Sequence, residues 1–246
     1  MGKKMLSLRE LAEWLARLLS TDRYSPDEQG GIFRASERPV GRLGLALEPV
    51  ADIGEWVRND ELDAVWLHRP WQLPADALPP DVGILAHHLP FDETFTMGYN
   101  VALAEALALG PLEEIGYKQA AHPDGPELPR RAIGMIADCR VPRLLGDVAG
   151  QIRSGFGGLD ELVADPEKRI NRVAVVGAMT PALVQEAGDR GAHLYLTGQY
   201  RKAAEAAVRS SGMSVLAVGH HRSEQWGLRA MADVLANQLT VKVKLA

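Results

Sequence analysis

Leu8, Leu11, Trp14, Leu15, Leu18 and Leu19 recur at helical spacing behind Ser7, and Glu10 stands in the capping-box position. The spacing predicts an amphipathic helix there. Residues 20–40 are rich in Asp, Pro, Gly, Ser and Arg and are predicted as a long loop. From there the pattern alternates. Apolar runs at 42–47 (RLGLAL), 63–67 (DAVWL) and 82–86 (VGILA) read as strands, and stretches at 49–59 and from Tyr99 to Leu109 read as helices. That alternation predicts a parallel-type α/β sheet.

Pro and Gly crowd residues 110–130, which marks a boundary between two lobes, 1–115 and 116–246. The second half repeats the theme. Strand-like runs lie at 132–137, 172–176, 193–197 and 214–218, with helix-like stretches at 143–153, 180–189, 200–210 and 223–236. The tail alternates strictly: Leu239, Val241, Val243 and Leu245 face one way, and Gln238, Thr240, Lys242 and Lys244 the other. This predicts a half-buried strand whose lysines blunt an edge. Trp14, Trp56 and Trp226 fall on helical stretches and are expected in the core.

Composition narrows the chemistry. The 246 residues are 46% hydrophobic and 24% charged, the mix of a globular protein rather than a disordered tail. A net charge of −5 and a pI of about 5.8 leave no bulk basic field for a phosphate backbone. One cysteine, Cys139, excludes an internal disulfide framework and any Cys-based zinc or iron–sulfur site. It is expected as a buried thiol in a reducing cytoplasm. The first apolar stretch is interrupted by Arg9, Glu10, Glu13 and Arg17, so no membrane span or signal core is predicted. Any transition metal must therefore be held by His and carboxylates.

Ligands of open α/β sheets bind at the carboxyl ends of strands. Three runs end there in metal-competent groups: Leu67-His68-Arg69-Pro70, His87-His88-Leu89-Pro90-Phe91-Asp92, and Val218-Gly219-His220-His221-Arg222-Ser223-Glu224. Of the seven histidines, only His122, in the boundary loop, and His193, which starts a strand, lie elsewhere. His220 and Glu224 share a face if the segment is helical, and can then chelate one divalent ion. An isolated pair of this kind more often has a carboxylate that only complements the helix dipole. His88 and Asp92 repeat the spacing, but Pro90 between them suggests an extended or turning backbone. Gly177-Ala178 reads as a tight strand–helix turn. No GxxxxGK[ST], GxGxxG or GxSxG element is present.

Three segments together resemble the Nif-three-like family, often described as GTP cyclohydrolase I type 2 homologues, in a short form. Residues 173–231 resemble its C-terminal signature, which ends here in Gly219-His220-His221-Arg222-Ser223-Glu224. HHLPFDETFTMGYNVALAEALALG resembles its central element, and DAVWLHRP stands where the family carries His-His-Pro. The resemblance implies two similar α/β lobes with mixed sheets, a metal site in the cleft between them, and hexameric toroids. Carried over by position, it implies His68, His220 and Glu224 as ligands of one metal. It implies Asp92 and the shared Glu224, with the second His of His-His-Pro, as ligands of another. That second His is Arg69 here. A guanidinium cannot ligate a metal and sets a positive charge where a cation would sit. One divalent ion (Zn, Fe or Mn) per chain is therefore expected rather than two, with Arg69 pairing with Asp92.

Two functions follow. One is a metal-dependent hydrolase acting on a nucleotide-like substrate, as in GTP cyclohydrolase-type ring opening, with His88 as proton shuttle and Arg69 as phosphate or oxyanion clamp. The other is a non-enzymatic metal-binding ring that holds single-stranded nucleic acid or a protein partner, using Arg201, Lys202 and Arg209 on one predicted helix. A salt-bridged relic without metal is the third expectation.

Overall fold

The computed structural model describes residues 5–121 and 125–246, so His122 lies outside it. The described chain forms two compact units. The first comprises Met1–Phe91, Gln119–Pro129 and Leu228–Ala246, and the second Asp92–Lys118 and Arg130–Gly227.

In the first unit, helix α1 (Leu8–Leu18) starts where the capping box predicts. The Glu10 amide donates to Ser7 Oγ at 3.1 Å, and the Ser7 amide donates to Glu10 Oε2 at 2.8 Å. Two backbone amide N–H groups at the helix start are thus satisfied reciprocally. Leu8, Leu11 and Leu15 point into the core. Strands β1 (Gly31–Arg34), β2 (Arg42–Ala46), β3 (Ala64–Leu67) and β4 (Gly83–Ala86) order as β1-β4-β3-β2. β2, β3 and β4 are parallel, and β1 is antiparallel to β4. Helix α2 (Ile53–Asn59) sets Ile53 and Val57 in an apolar cluster with Val65 and Leu67 of β3. β3 is buried along its whole length, as parallel strands are when both faces are covered.

β1 lies inside the segment predicted as loop. Its four residues include one glycine and have mostly exposed side chains, so no apolar period marked it. Helix α3 (Leu89–Phe95) is a second departure: Pro90 is its second residue. Proline is tolerated in a first turn because the amides there have no helical acceptor to lose. The backbone after His88 is therefore helical, where the sequence suggested an extended turn.

The second unit carries helix α4 (Val101–Ala106), strand β5 (Glu113–Lys118), strand β6 (Arg131–Leu144), helix α5 (Leu145–Phe156), and strands β7 (Glu161–Val163) and β8 (Arg169–Val176). It continues with helix α6 (Pro181–Asp189), strand β9 (Leu194–Thr197), helix α7 (Glu205–Ser211), strand β10 (Ser214–Ala217) and the start of helix α8 (His220–Gln238), whose residues from Leu228 on belong to the first unit. The sheet order is β5-β6-β8-β9-β10-β7. β8, β9 and β10 run parallel, while β5, β6 and β7 are joined by antiparallel pairings. Met135, Val173, Val175, Leu194 and Leu216 face one apolar cluster, and Ile136, Ala174, Val176, Tyr195 and Val215 the other. The expected α/β class with two mixed sheets is what the chain forms. β5 and β7 were hidden, β5 within the Pro- and Gly-rich stretch and β7 by its three-residue length.

The last strand, β11 (Lys242–Leu245), pairs parallel with β2 of the first sheet. The half-buried strand that the alternation predicts is present: Val241 just before it is buried and Val243 half-buried, while Lys242 and Lys244 are exposed, and only Leu245 at its end departs from the pattern by being exposed. Cys139 is half-buried rather than enclosed, and burial pushes its thiol pKa up. Trp14, Trp56 and Trp226 are likewise half-buried, whereas Trp66 of β3 is fully buried. Among the described residues, no helix is long and apolar enough to cross a membrane.

Candidate metal centre

β3 and β4 are adjacent and parallel, so the residues that follow them emerge side by side at one sheet edge. His68 follows β3 and is completely buried. Its Nδ1 lies 3.1 Å from the carbonyl oxygen of His87, just past β4. A carbonyl only accepts, so Nδ1 carries the hydrogen and Nε2 keeps the lone pair. A backbone acceptor on the far nitrogen is the arrangement that orients metal-binding imidazoles.

The helical turn at the start of α3 brings His88 and Asp92 to this point. Ligand atoms of His68, His88 and Asp92 all lie within 4.8 Å of one another. His68 is buried, Asp92 half-buried and His88 exposed, an order of burial that leaves one side of the group toward solvent. The ring of His88 tilts against that of His68 with centroids 4.8 Å apart, and Trp71 stands edge-on to His88 at 5.1 Å. Two imidazoles and a carboxylate suit zinc, iron and manganese alike. The donor set therefore fits a divalent ion on its own chemistry.

His87 faces the other way. Trp66 Nε1 donates to His87 Nδ1 at 3.0 Å, which places the His87 hydrogen on Nε2. Burial lowers the His87 pKa to about 4. The residue is a neutral part of the wall behind His68, and the rings of Trp66 and His68 stack at 6.3 Å. The paired histidines His87 and His88 thus divide into a structural member and a candidate ligand, a split that alternation after a strand produces and that residue type alone does not reveal.

Arg69 directs its guanidinium to Glu48 just past β2, with Nη1 3.1 Å from Oε1. The sequence did not foresee Glu48 as a carboxylate partner for this cation. In the second unit, α8 begins at His220 and not three residues later, so His220 and Glu224 do sit one helical turn apart. His220 Nε2 is 2.9 Å from Glu224 Oε1, with the carboxylate buried and the imidazole exposed. Gly219, at φ +95°, permits this start, since a Cβ there would stand 2.7 Å from Asp160 Oδ2. Gly177-Ala178 is a turn, as expected, and the Tyr195 hydroxyl donates to the Ala178 carbonyl at 2.6 Å. The basic residues expected on one helix are separated: Arg201 precedes α7, Lys202 lies in a short 3-10 turn, and Arg209 in α7 pairs with Glu205.

The profile of the Duf34/NIF3 (NGG1p interacting factor 3) family matches residues 68–246, well over half the chain. This chain belongs to the Duf34/NIF3 family. The match begins at His68, the first of the clustered residues. Among its relatives, a Neisseria meningitidis protein named GTP cyclohydrolase 1 type 2 homolog is 22% identical over 97% of this chain and 96% of its own length. A Pyrococcus abyssi protein of the same name is 27% identical over 95% and 94%. In fold, this Duf34/NIF3 chain resembles a hypothetical protein of Staphylococcus aureus, with a TM-score of 0.75 at 16% identity over 99% of this chain and 97% of that one. A Bacillus cereus protein related to NIF3 gives a TM-score of 0.69 at 16% identity over 99% and 97%.

Proposed function

We propose that this Duf34/NIF3 protein binds one divalent metal ion through His68, His88 and Asp92 and uses it in hydrolysis of a nucleotide-like substrate. The observation that carries the reading is the convergence of three donor atoms within 4.8 Å at the ends of two parallel strands. An ion with an open coordination position supplies hydroxide near neutral pH by lowering the pKa of bound water toward about 7. The protein's part is to orient. The His87 carbonyl fixes the tautomer of His68, and Trp66 and His87 close the wall behind it. His88 is then a ligand, in place of the proton-shuttle role that the sequence suggested. Metal ligation is proposed equally for His220 and Glu224, on the resemblance and on their helical spacing.

Arg69 is proposed as the reason for one ion rather than two, and as the clamp for an anionic group of the substrate. It is a permanent cation, with a side chain 15% exposed. The relatives' name supports GTP cyclohydrolase-type chemistry as the first reaction to try. A homohexameric ring and a cytoplasmic location belong to the same reading. The test is elemental analysis of protein purified without chelator, followed by GTP turnover with zinc, iron(II) and manganese. One equivalent of metal, reduced to traces in His68→Ala, is expected. No metal after incubation with all three ions would overturn the reading, and two equivalents would overturn the role given to Arg69.

A further inference from the structure

Next to the clustered histidines, a cleft of about 350 Å³ is lined by residues of the first unit alone. That volume is at the small end of ligand pockets and suits one flat ring system rather than a whole nucleotide. The two ends of the cleft differ. Ala86 of β4 pairs with Leu67 of β3 on one side and with Gly31 of β1 on the other. His68 and His88, which follow β3 and β4, therefore line one end, and Asp27 and Glu28, which precede β1, line the other. Trp71 and Phe33 also line it, 65% and 56% exposed although both are large aromatics. Among the described residues that line the cleft there is no Lys or Arg.

Each end is held in place and has its own polarity. The Glu28 amide donates to the Ser25 carbonyl at 2.8 Å, and Ser25 Oγ donates to Glu28 Oε2 at 2.9 Å. An ionised carboxylate only accepts hydrogen bonds. The β4 end offers the opposite. Trp66 Nε1 donates to His87 Nδ1, so the His87 hydrogen is on Nε2, a buried atom with no hydrogen-bond partner among the described residues. Cδ2, the ring atom bonded to that nitrogen, lies 3.1 Å from the point where a Cβ on Gly30 would stand. Gly30 lines the cleft, so a buried, unpaired donor lies beside its wall. A divalent ion on His68 and His88 adds positive charge at the same end. Trp71 is steadied there by its edge-on contact with His88. The cleft thus runs from acceptors at β1 to a donor and a cation site at β3 and β4.

We infer that this cleft holds the base of the nucleotide-like substrate and selects a 6-oxopurine such as guanine, its ring against Trp71 and Phe33. Guanine has a donor edge, N1–H and the 2-amino group, next to an acceptor edge, O6 and N7. The donor edge matches Asp27 or Glu28, since a carboxylate accepts two parallel hydrogen bonds. The acceptor edge matches His87 Nε2 and the positive charge of the ion. Adenine reverses both: its N1 turns a lone pair toward the carboxylates, and its 6-amino group turns hydrogens toward the cation. The sugar leaves from N9, on the remaining side of the ring, which keeps the phosphates outside the acidic end, where Arg69 is the proposed clamp. The inference deepens the reading given above and rests on it for a nucleotide-like substrate. It adds the residues that choose the base.

Guanosine, inosine and adenosine carry no phosphate, so they report recognition of the base alone. Calorimetric titration of each into the full-length protein, metal-free and zinc-loaded, is the test. Guanosine is expected to bind about tenfold more tightly than adenosine, with inosine, which lacks the 2-amino group, in between. Trp71→Ala, at an exposed position, should weaken guanosine and adenosine alike, by about fivefold to tenfold. The double variant Asp27→Asn/Glu28→Gln should bring guanosine and adenosine within about twofold of each other. Zinc loading should leave guanosine binding equal or tighter. Equal or tighter binding of adenosine, guanosine binding unchanged in Trp71→Ala, or guanosine binding weakened by zinc would overturn the inference. Zinc uptake in the same samples keeps the two claims apart. Protein that prefers guanosine but takes up no zinc refutes the metal reading alone. Protein that takes up zinc but does not prefer guanosine refutes the base assignment alone.

Discussion

His88 with Asp92 at the start of α3, and His220 with Glu224 at the start of α8, have the same spacing after a strand, yet their surroundings differ. In the first pair a third donor, His68, comes up from the neighbouring strand, and the three atoms gather within 4.8 Å. In the second pair the imidazole lies directly on its own helix partner, 2.9 Å from a buried carboxylate. The supports differ as well. α3, of seven residues, is held by Glu93, which accepts from Arg131 Nε at 2.7 Å, both side chains being buried. α8, of nineteen residues, is joined at its first turn by an exposed pair, Arg222 with Asp160. The short helix thus has a buried ion pair beside Phe91 and Phe95, whereas the long helix has an exposed pair and buries Leu228, Met231 and Leu235 further along. Spacing in sequence therefore marks candidates, and the neighbouring strand and anchor decide what they become.

The comparison is most severely tested at the anchors. Glu93→Ala removes the buried carboxylate that accepts from Arg131 and is expected to cost about 3–5 kcal/mol in urea unfolding. If Glu93→Ala cost less than about 1 kcal/mol, the contrast between the two helix starts would disappear.

Next in size is the acid response of the wall behind His68. His87 titrates near 4 in the folded chain and near 6.5 when unfolded. The unfolded state therefore binds the extra proton first. This contribution to stability is complete above about pH 6.5 and is lost as pH falls toward 4, by at most about 3 kcal/mol. Unfolding midpoints of metal-free protein should fall over that window, and His87→Asn should flatten the fall. An unchanged slope in the variant would remove His87 from the account.

Asp92→Asn keeps the shape of its donor group and removes the charge. It should weaken zinc binding by roughly tenfold to a hundredfold, read by competition with a chromophoric chelator. A wild-type affinity would mean that the trio at α3 holds no ion. The smallest effect is expected at Asp160→Asn, which removes an exposed partner of Arg222 and should cost under about 1 kcal/mol.

The α1 cap, the buried strands β3, β9 and β10, the buried half of β8, and helices α6 and α7 follow from periodicity because local preference and burial agree there. β1 and β5 were hidden for opposite reasons. Ile32 and Phe33 of β1 have side chains facing solvent, and β5 alternates too weakly within a stretch crowded with glycine and proline. The histidines were legible as a group, since strand ends concentrate them. The gathering of Asp92 with His68 and His88 was not, because it depends on a helix that starts one residue before a proline. Glu48 beside Arg69 was equally hidden, since contact between the ends of adjacent strands is a matter of register.

The return of β11 to the first sheet has a consequence for synthesis. Leu245 pairs with Leu45, two hundred residues earlier in the chain. As the polypeptide leaves the ribosome, one flank of β2 waits unpaired while the whole second unit is made. An open strand flank invites pairing with other nascent chains. Lys242 and Lys244, exposed on β11, seal that flank with charge and leave the sheet edge poorly suited to recruiting a neighbour.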